Sequence, residues 1–216
     1  MHNYDLHVHT HYSRCSNLSP KRILEVAKMK RLDGIAITDH NTIDGALEVK
    51  RLNKDKNFEV IIGEEVRTGK GEILAFYINE MVKPGPVEYV CRQVREQGGL
   101  VVPAHLLDPL RRHFSRQSFS DYAKFFDAVE TLNGRTVFPF LNDFAFYAAR
   151  RYGLASVAGS DAHFYYEIGS CRTLFNGSLR QALKDRSTST KGFTLPGVFG
   201  AFHSVLYKRI AQKRFF

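Results

Sequence analysis

The sequence predicts an α/β fold, and three observations support this prediction. Apolar, β-branched runs of strand length alternate with amphipathic stretches of helix length along most of the chain. No repeat or low-complexity tract interrupts this alternation. The length of 216 residues suits one domain, or one domain with an appendage, that can bury a sizeable core. This order of elements favours a largely parallel sheet or barrel.

Seven segments have the composition of β-strands. Each is a short run rich in apolar and β-branched residues, which suit a pleated and largely buried backbone. The predicted strands span residues 3–9, 34–38, 58–65, 72–78, 100–103, 128–132 and 155–159.

Five amphipathic stretches between these strands are predicted to be helices. The first begins with Ser19 and Pro20, a typical N-cap and first helical residue. Gly98 and Gly99 end the third helix and Gly153 ends the last, because glycine readily adopts the backbone conformation that follows a helix. The predicted helices span residues 19–31, 42–53, 86–97, 118–126 and 142–152.

Polar residues gather where the predicted strands end. Five of the seven strands run into a His, Asp or Glu at or just past their C-terminal ends. In parallel α/β folds the loops at that end build the functional sites. We therefore expect one edge of the sheet to carry the following residues: His7, His9, Asp39, His40, Glu64, Glu65, His105, Asp161 and His163.

These residue types are typical metal ligands. Alternate side chains of a strand share a face, so His7 and His9 can reach one ion from positions about 6 to 7 Å apart along the backbone. A single His or Asp at a strand end is more often a cap or a loop residue. Their recurrence at five strand ends instead favours a site with several ions. Imidazole together with carboxylate suits zinc, manganese or iron, and a carboxylate can bridge two cations.

Four motifs in this chain resemble those of the PHP (polymerase and histidinol phosphatase) domain family. They read DLHVHT at residues 5–10, ITDHNT at 37–42, PAH at 103–105 and GSDAH at 159–163. The resemblance extends from about residue 4 to residue 174, with the motifs in order. It implies a distorted seven-stranded β/α barrel, similar to a TIM barrel, with two or three divalent metal ions at its C-terminal rim.

The resemblance also implies a set of ligands. One ion would be held by His7, His9 and Asp161, and Glu65 would bridge to a second ion held by His105 and Glu72. The Gly-x-Glu form of the motif selects Glu65 rather than Glu64. The third ion would be held by His40, His163 and the residue at position 15.

Position 15 departs from the family pattern. It is usually Asp or His in the family, and here it is Cys15. Two interpretations stand: either the thiolate is a metal ligand, or Cys15 is a small buried residue and the third site is weak or absent. Cys91 is predicted to lie on a helix and Cys171 in the core, and His11 and His113 match no ligand position.

The expected activity is hydrolysis of a phosphate ester of a small molecule or nucleotide by a metal-activated hydroxide. Metal binding lowers the pKa of water towards about 7, and further cations neutralise the phosphoryl oxygens. Asp161 would orient the hydroxide, and His163 would help hold the ion that polarises the phosphate. Guanidinium groups suit phosphate, so Arg111, Arg112 and Arg135 are candidate substrate ligands, with Arg135 preferred because its loop should face the site.

Other functions are weighed against this one. The excess of 31 basic over 22 acidic residues, a net charge of +9, also suits a nuclease that trims RNA or DNA ends. A PHP module that binds a partner without catalysis is a further alternative, although retained metal ligands argue against it. An amidohydrolase-like attack on carbon ranks lower, because no lysine at these strand ends could supply a carboxylated bridge.

The rest of the chain carries less information. We expect a PHP domain over residues 1–186 and a basic amphipathic segment over 187–216 that packs on the barrel; contact of this segment with membrane or nucleic acid phosphates is the alternative. A helix there would align Phe199, Phe202, Leu206 and Ile210.

The three cysteines make no disulfide framework, and there is no N-terminal or membrane-spanning apolar segment, so a cytoplasmic location is expected.

Overall fold

The computed structural model describes residues 1–194, and in this part of the chain nine strands and six α-helices form a mixed α/β fold. Seven of the strands belong to one curled sheet, and the other two form a small separate sheet. The strands are β1 (His2–Val8), β2 (Gly34–Ile37), β3 (Glu59–Arg67), β4 (Glu72–Phe76), β5 (Leu100–Pro103), β6 (Ala128–Asn133), β7 (Ala155–Gly159), β8 (Cys171–Phe175) and β9 (Ser189–Gly192).

The helices begin and end close to the predicted signals. The side chain of Ser19 accepts a hydrogen bond from the Arg22 amide at the start of the first helix, and Gly153 takes a left-handed conformation, with φ of 63°, after the fifth. The predicted helix over 118–126 instead starts earlier, capped by Ser115, and ends as a 3₁₀ turn at Ala123–Phe125. The helices are α1 (Pro20–Met29), α2 (Asp44–Leu52), α3 (Val87–Glu96), α4 (Arg116–Tyr122), α5 (Phe140–Tyr152) and α6 (Leu179–Lys184).

The large sheet is mixed rather than largely parallel, which corrects the prediction. Its strand order is β5-β4-β3-β2-β1-β8-β9, and only β1, β2 and β3 run parallel to one another. The pairs on either side of this parallel centre are antiparallel. The physical reason is the four-residue turn at residues 68–71 between β3 and β4, because a parallel neighbour would need a crossover of a dozen or more residues.

This hairpin changes which end of β4 lies at the functional edge. Thr68 closes the turn, with its hydroxyl accepting hydrogen bonds from the amides of Lys70 and Gly71. Since β4 runs back from the turn, its first residue, Glu72, pairs with Arg67 near the C-terminal end of β3. Glu72 therefore lies at the same edge as the ends of the parallel strands.

Strands β6 and β7 form the separate parallel pair. They lie across the gap between the edge strands β5 and β9 and contact both. Past the end of β7, a bridge between Val8 and Ala162 joins the chain to β1, with the His9 amide donating to the Ala162 carbonyl at 3.1 Å. The curled sheet is thus open, and the β6–β7 pair covers its open side.

The core is apolar on both sides of the large sheet. One cluster fills the space under α3, α4 and α5, and another lies under α1 and α2. A third cluster takes one or more residues from each of β1 to β7 and is completed by α6. These packed layers fix the strands, and hence the side chains at their ends.

Two strands and one helix were not predicted. The strand β8 and the helix α6 are short, and β9 reads STKG, with little apolar pattern. Residues 189–192 nevertheless pair with β8, so the first part of the C-terminal segment belongs to the sheet. The predicted helix bearing Phe199, Phe202, Leu206 and Ile210 lies outside the described residues. Within residues 1–194, no helix combines the length and apolar character needed to cross a membrane.

Candidate metal centre

The predicted edge of the sheet brings histidines and carboxylates from six strand ends into one buried cluster. His7 and His9 come from the end of β1, where the pairing register with β2 shifts between Asp5 and Val8. The Nε2 atoms of His7 and His9 lie 3.1 Å apart, so both rings do address one spot.

Glu65 is the centre of the cluster. Its Oε2 lies 3.4 Å from His7 Nε2, 3.3 Å from His9 Nε2 and 3.1 Å from His40 Nδ1. Its Oε1 lies 2.9 Å from His105 Nε2. Both oxygens of one buried carboxylate are thus contacted by imidazole nitrogens, an arrangement suited to a bridging ligand.

Glu64 points away from the cluster, as successive residues of a strand must. Its Oε2 accepts a hydrogen bond from the Val82 amide at 2.8 Å, and burial raises the pKa of its carboxyl to about 7. Glu72 extends the cluster from β4, with its Oε2 3.5 Å from His105 Nε2 and its Oε1 3.9 Å from His40 Nδ1.

Asp161 is the second carboxylate at the centre. Its Oδ1 lies 3.3 Å from His9 Nε2, 3.7 Å from His7 Nε2 and 3.5 Å from His163 Nδ1. Its Oδ2 forms a salt bridge with the guanidinium of Arg111. Asp161 therefore connects the first histidine pair to His163 and to a positive side chain.

Backbone conformations at this edge are unusual. His105 and Asp161 have positive φ angles of 30° and 55°, and so does Asn41, next to His40, at 52°. Such conformations are unfavourable for residues other than glycine and persist where the surrounding structure enforces them. They turn the chain sharply after a strand, so that the side chain points over the strand ends.

The donor atoms fit divalent cations. The Oδ1 of Asp161 and the Nδ1 of His40 are buried and have no hydrogen-bond partner among the described residues, although both lie close to other ligand atoms. Buried polar atoms that converge without hydrogen bonds are expected where an ion is the intended partner. Three groups of ligand atoms lie within 4.8 Å of one another: His7, His9 and Glu65; His40, Glu65 and Glu72; and His9, Cys15 and His163.

Cys15 lies beside His9 and His163. Its side chain is half-buried, and burial, followed by the charges of Glu65 and Asp161, raises the pKa of the thiol to about 12. A bound cation would oppose this shift, because a coordinating thiol loses its proton. Cys91 lies on α3 and Cys171 is buried in β8, as predicted.

The charges of the cluster reinforce one another. Burial opposes ionisation of Glu65, yet the imidazoles of His40 and His7 hold its pKa well below the usual value. Burial likewise opposes ionisation of Asp161, but Arg111 and His7 lower its pKa well below normal. The pKa of His163 is lowered well below 6.5 by burial, by His9 and by Arg135, which keeps its imidazole neutral and able to bind metal.

Glu130 is a functional residue that sequence reasoning missed. It lies inside β6, fully buried, and its Oε1 is 2.8 Å from His7 Nδ1. Its Oε2 accepts hydrogen bonds from the His105 amide at 2.7 Å and from the Asn133 side chain at 3.1 Å. A carboxylate on the far nitrogen of a ligating histidine fixes its tautomer and orientation. The available signal was a single acid within the apolar run AVETLN.

Two aspartates brace the loops. Asp39 accepts hydrogen bonds from the Thr10 amide and hydroxyl and from the Ser13 hydroxyl, each at 2.7 Å. Asp5 accepts from the amides of Ser160 and Gly169 at 2.8 and 2.7 Å. Neither carboxylate is free to face a ligand, so both hold the loops that carry the cluster.

The predicted substrate arginines differ in position. Arg111 reaches the cluster through Asp161, whereas Arg112 is exposed. Arg135 is buried on the loop after β6, where its amide donates to Asn133 Oδ1 at 2.9 Å and its guanidinium lies 3.8 Å from Glu167. His11 is exposed and stacks on Tyr12.

The sequence is similar to that of archaeal proteins and to one family model. A model described as PHP-associated matches residues 139–188. The uncharacterized protein MJ1587 of Methanocaldococcus jannaschii is 37% identical over 140 residues, which are 60% of this chain and 80% of that protein. The uncharacterized protein MJ0417 of the same organism is 35% identical over 179 residues, which are 80% of this chain and 70% of that protein.

The fold is similar to that of several solved structures. A candidate metal-dependent phosphoesterase from Bifidobacterium adolescentis has a TM-score of 0.64 and 19% identity, covering 75% of this chain and 88% of that one. A two-domain protein from Bacteroides vulgatus that contains a predicted PHP-like metal-dependent phosphoesterase has a TM-score of 0.72 and 16% identity, covering 92% and 69%. An amidohydrolase from Chromobacterium violaceum, with bound sulfate and no metal, has a TM-score of 0.66 and 15% identity, covering 85% and 96%.

Proposed function

This chain belongs to the PHP-domain family, and we therefore propose that it is a metal-dependent phosphoesterase that hydrolyses a phosphate ester of a small molecule or nucleotide. The observation that carries the proposal is the convergence of four imidazoles on the two oxygens of Glu65, with Arg111 beside the same cluster. Donors for cations and a guanidinium for phosphate are thus present in one buried site.

The proposed ligand sets follow the family pattern, and the geometry supports them most directly at His7, His9 and Glu65 and in the pairing of Cys15 with His163. Divalent cations, such as zinc, manganese or iron, supply water activation and charge neutralisation when bound. Cys15 would complete the set of the third ion, with its thiolate favouring a soft metal such as zinc. In this proposal one ion would be held by His7, His9, Asp161 and Glu65, a second by Glu65, Glu72 and His105, and a third by His40, His163 and Cys15.

The protein's own groups bind and orient the substrate. Arg111 and Arg135 present guanidinium groups that match the oxygens of a phosphate monoester. Asp161, whose carboxylate stays ionised, would accept a hydrogen bond from the attacking water and so orient it. Glu130 holds His7 in place through the contact described above, and the Asn133 side chain holds Asp161 by donating to its Oδ2 at 3.2 Å.

The test is metal analysis of purified protein together with hydrolysis assays on an aryl phosphate and on the matching aryl carboxylic ester. We expect two or three equivalents of divalent metal and turnover of the phosphate ester. Chelation should abolish this turnover and added metal should restore it. Faster hydrolysis of the carboxylic ester would assign the site to carbon chemistry, and metal-free protein that stays inactive after reconstitution would support a binding module.

Replacing Arg135 by Ala should raise KM for the phosphate ester. The loss of one charge-assisted contact to phosphate should cost about 10- to 100-fold in kcat/KM. Arg112→Ala is the matched control, since that side chain is exposed. Unchanged kinetics in Arg135→Ala would remove this residue from substrate binding.

A nuclease that trims RNA or DNA ends is the second candidate, favoured by the excess of 31 basic over 22 acidic residues. Its phosphodiester would occupy the same centre. Release of mononucleotides from a single-stranded oligonucleotide, compared with release of phosphate from a mononucleotide, separates the two candidates.

A further inference from the structure

One face of α5 carries large aromatic side chains that no helix or strand of the described chain covers. Phe140, Phe144, Tyr147 and Arg151 recur at the spacing that places side chains on one side of a helix. The three rings are 55%, 42% and 66% exposed. Soluble proteins rarely expose large apolar groups in one contiguous patch unless the patch binds something. We call these four residues the α5 face.

A cleft of about 300 Å³ opens between the α5 face and α4. Its floor is apolar and includes Leu106, Leu107 and Phe119, and its walls include Phe144 and Tyr147. The guanidinium of Arg116 lies 5.1 Å from the centre of the Phe144 ring, and Arg151 lines the same cleft. Flat rings beside guanidinium groups suit a ligand in which a planar aromatic group is attached to a negatively charged group.

The surroundings of the cleft are positive. Arg112, Arg116, Arg150 and Arg151 are all exposed along α4, α5 and the loop before α4. In α5 the one acid is Asp143, and in α4 the one acid is Asp121, which accepts a hydrogen bond from Gln117. The charge is therefore complementary to a polyanion rather than to a basic or neutral partner.

The cleft adjoins the metal centre along the chain. Leu106 and Leu107 on its floor directly follow His105, whose ring contacts Glu65. The other side is tied to the centre as well, because the Asn142 side chain of α5 accepts from the Asn133 amide at 3.1 Å, and Asn133 donates to Asp161. The cleft and the proposed cluster are thus connected through the segment that follows His105 and through the hydrogen bonds of Asn133.

We propose that the α5 face and this cleft bind unpaired bases of a single-stranded nucleic acid whose phosphate enters the metal centre. Bases stack on exposed aromatic rings, while arginines follow the phosphates, and both groups are interleaved here. An anionic membrane is less well matched, because a concave cleft between two helices does not offer a continuous apolar face to a bilayer. The inference rests on the proposed function for the identity of the centre, and names a nucleic acid as its substrate class.

The experiment measures binding of a fluorescent single-stranded DNA of about 12 nucleotides to the full chain by anisotropy, with a duplex of the same sequence alongside. We expect the single strand to bind more tightly than the duplex, and Phe144→Ala to weaken its binding by about tenfold or more. Phe146→Ala is the matched control: the ring is on the same helix and 40% exposed, but it lies off the α5 face. Arg151→Gln should also lower the salt dependence of binding.

Several results would overturn the inference. Equal weakening of DNA binding by Phe144→Ala and Phe146→Ala would do so. Binding of the protein to vesicles that contain anionic lipid, without binding to the DNA, would also overturn it. A large fall in Tm of Phe144→Ala without loss of DNA binding would assign the face to packing within the chain. The hydrolysis assays are read separately: DNA binding without phosphoesterase activity keeps the base-binding surface and rejects the proposed function, whereas activity without DNA binding rejects the surface and keeps the proposed function.

Discussion

Replacing Glu65 by Gln should reduce hydrolysis of a phosphate ester by at least about 10³-fold and lower the bound metal. The carboxamide has nearly the shape of the carboxylate but no negative charge, and it cannot serve two cations with two equivalent oxygens. The four imidazoles around Glu65 would lose their shared anionic partner. Turnover of an aryl phosphate and elemental analysis of the purified variant measure the two effects.

Glu64→Gln is the matched control for this variant, one residue away and directed to the opposite side of β3. It should keep metal and activity, and it should change how stability depends on pH. Burial raises the pKa of Glu64 from 4.5, the value of the unfolded chain, to about 7 in the folded protein. The stability that the protonated Glu64 carboxyl contributes is therefore complete below the unfolded pKa of 4.5, and it is lost as the pH rises through about 7.

Between about pH 5 and pH 8 the free energy of unfolding of Glu64→Gln should therefore rise relative to the wild type, by up to about 3 kcal/mol. Chemical denaturation at the two pH values measures this difference. Equal activity loss in the two variants would mean that Glu65 has no special role at the centre.

Replacing Glu130 by Ala should destabilise the protein by about 3 kcal/mol or more, because it removes a buried acceptor from three donors at once. The His105 amide and the Asn133 side chain would lose their partner, and His7 would lose the carboxylate that orients its ring. We also expect metal affinity to fall by about 10- to 100-fold. Chemical denaturation and metal titration measure the two quantities.

Glu130→Gln separates the two effects. The amide keeps the volume and some of the hydrogen bonds, so most of the stability should return. The negative charge beside His7 Nδ1 is still missing, so metal affinity should remain low. If Glu130→Gln restored both properties, the carboxylate charge would be unnecessary and Glu130 would act only by filling space and accepting hydrogen bonds.

The sequence was sufficient to locate the cluster because its residues follow strand ends. His7, His9, His105 and Asp161 each terminate an apolar run, and strand ends meet at one edge whatever the details of the sheet. The ends of five predicted strands differ from the observed ends by one or two residues, and the other two strands agree with the structure. The local patterns were strong there because each strand is buried on at least one side.

The direction of the strands was predicted less well. The mixed sheet follows from the turn at residues 68–71, which is too short for a crossover, although the general β-α alternation outweighed this local signal. The strands β8 and β9 were missed because their pairing depends on β1 and on each other rather than on a pattern of their own.

The supporting residues could not be predicted at all from local pattern. Glu130 reads as one acid inside a strand, and its role depends on His7, which lies 123 residues earlier in the chain. Such a contact is created by the position of the β6–β7 pair across the open sheet. Sequence alone reveals residues that repeat a pattern, whereas a single buried acid becomes informative only when its neighbours in space are known.

The position of β1 sets an order of events during synthesis. The strand β1, which carries His7 and is followed by His9, lies far ahead of β8 and Ala162 in the chain, yet it pairs with β8 and is bridged to Ala162, so these two neighbours are synthesised much later. At about 5 to 20 residues per second, β1 waits roughly ten seconds or longer for them. Metal binding by the complete proposed cluster would therefore follow translation of residue 163, and a nascent chain released earlier would present histidines without their carboxylate partner Asp161.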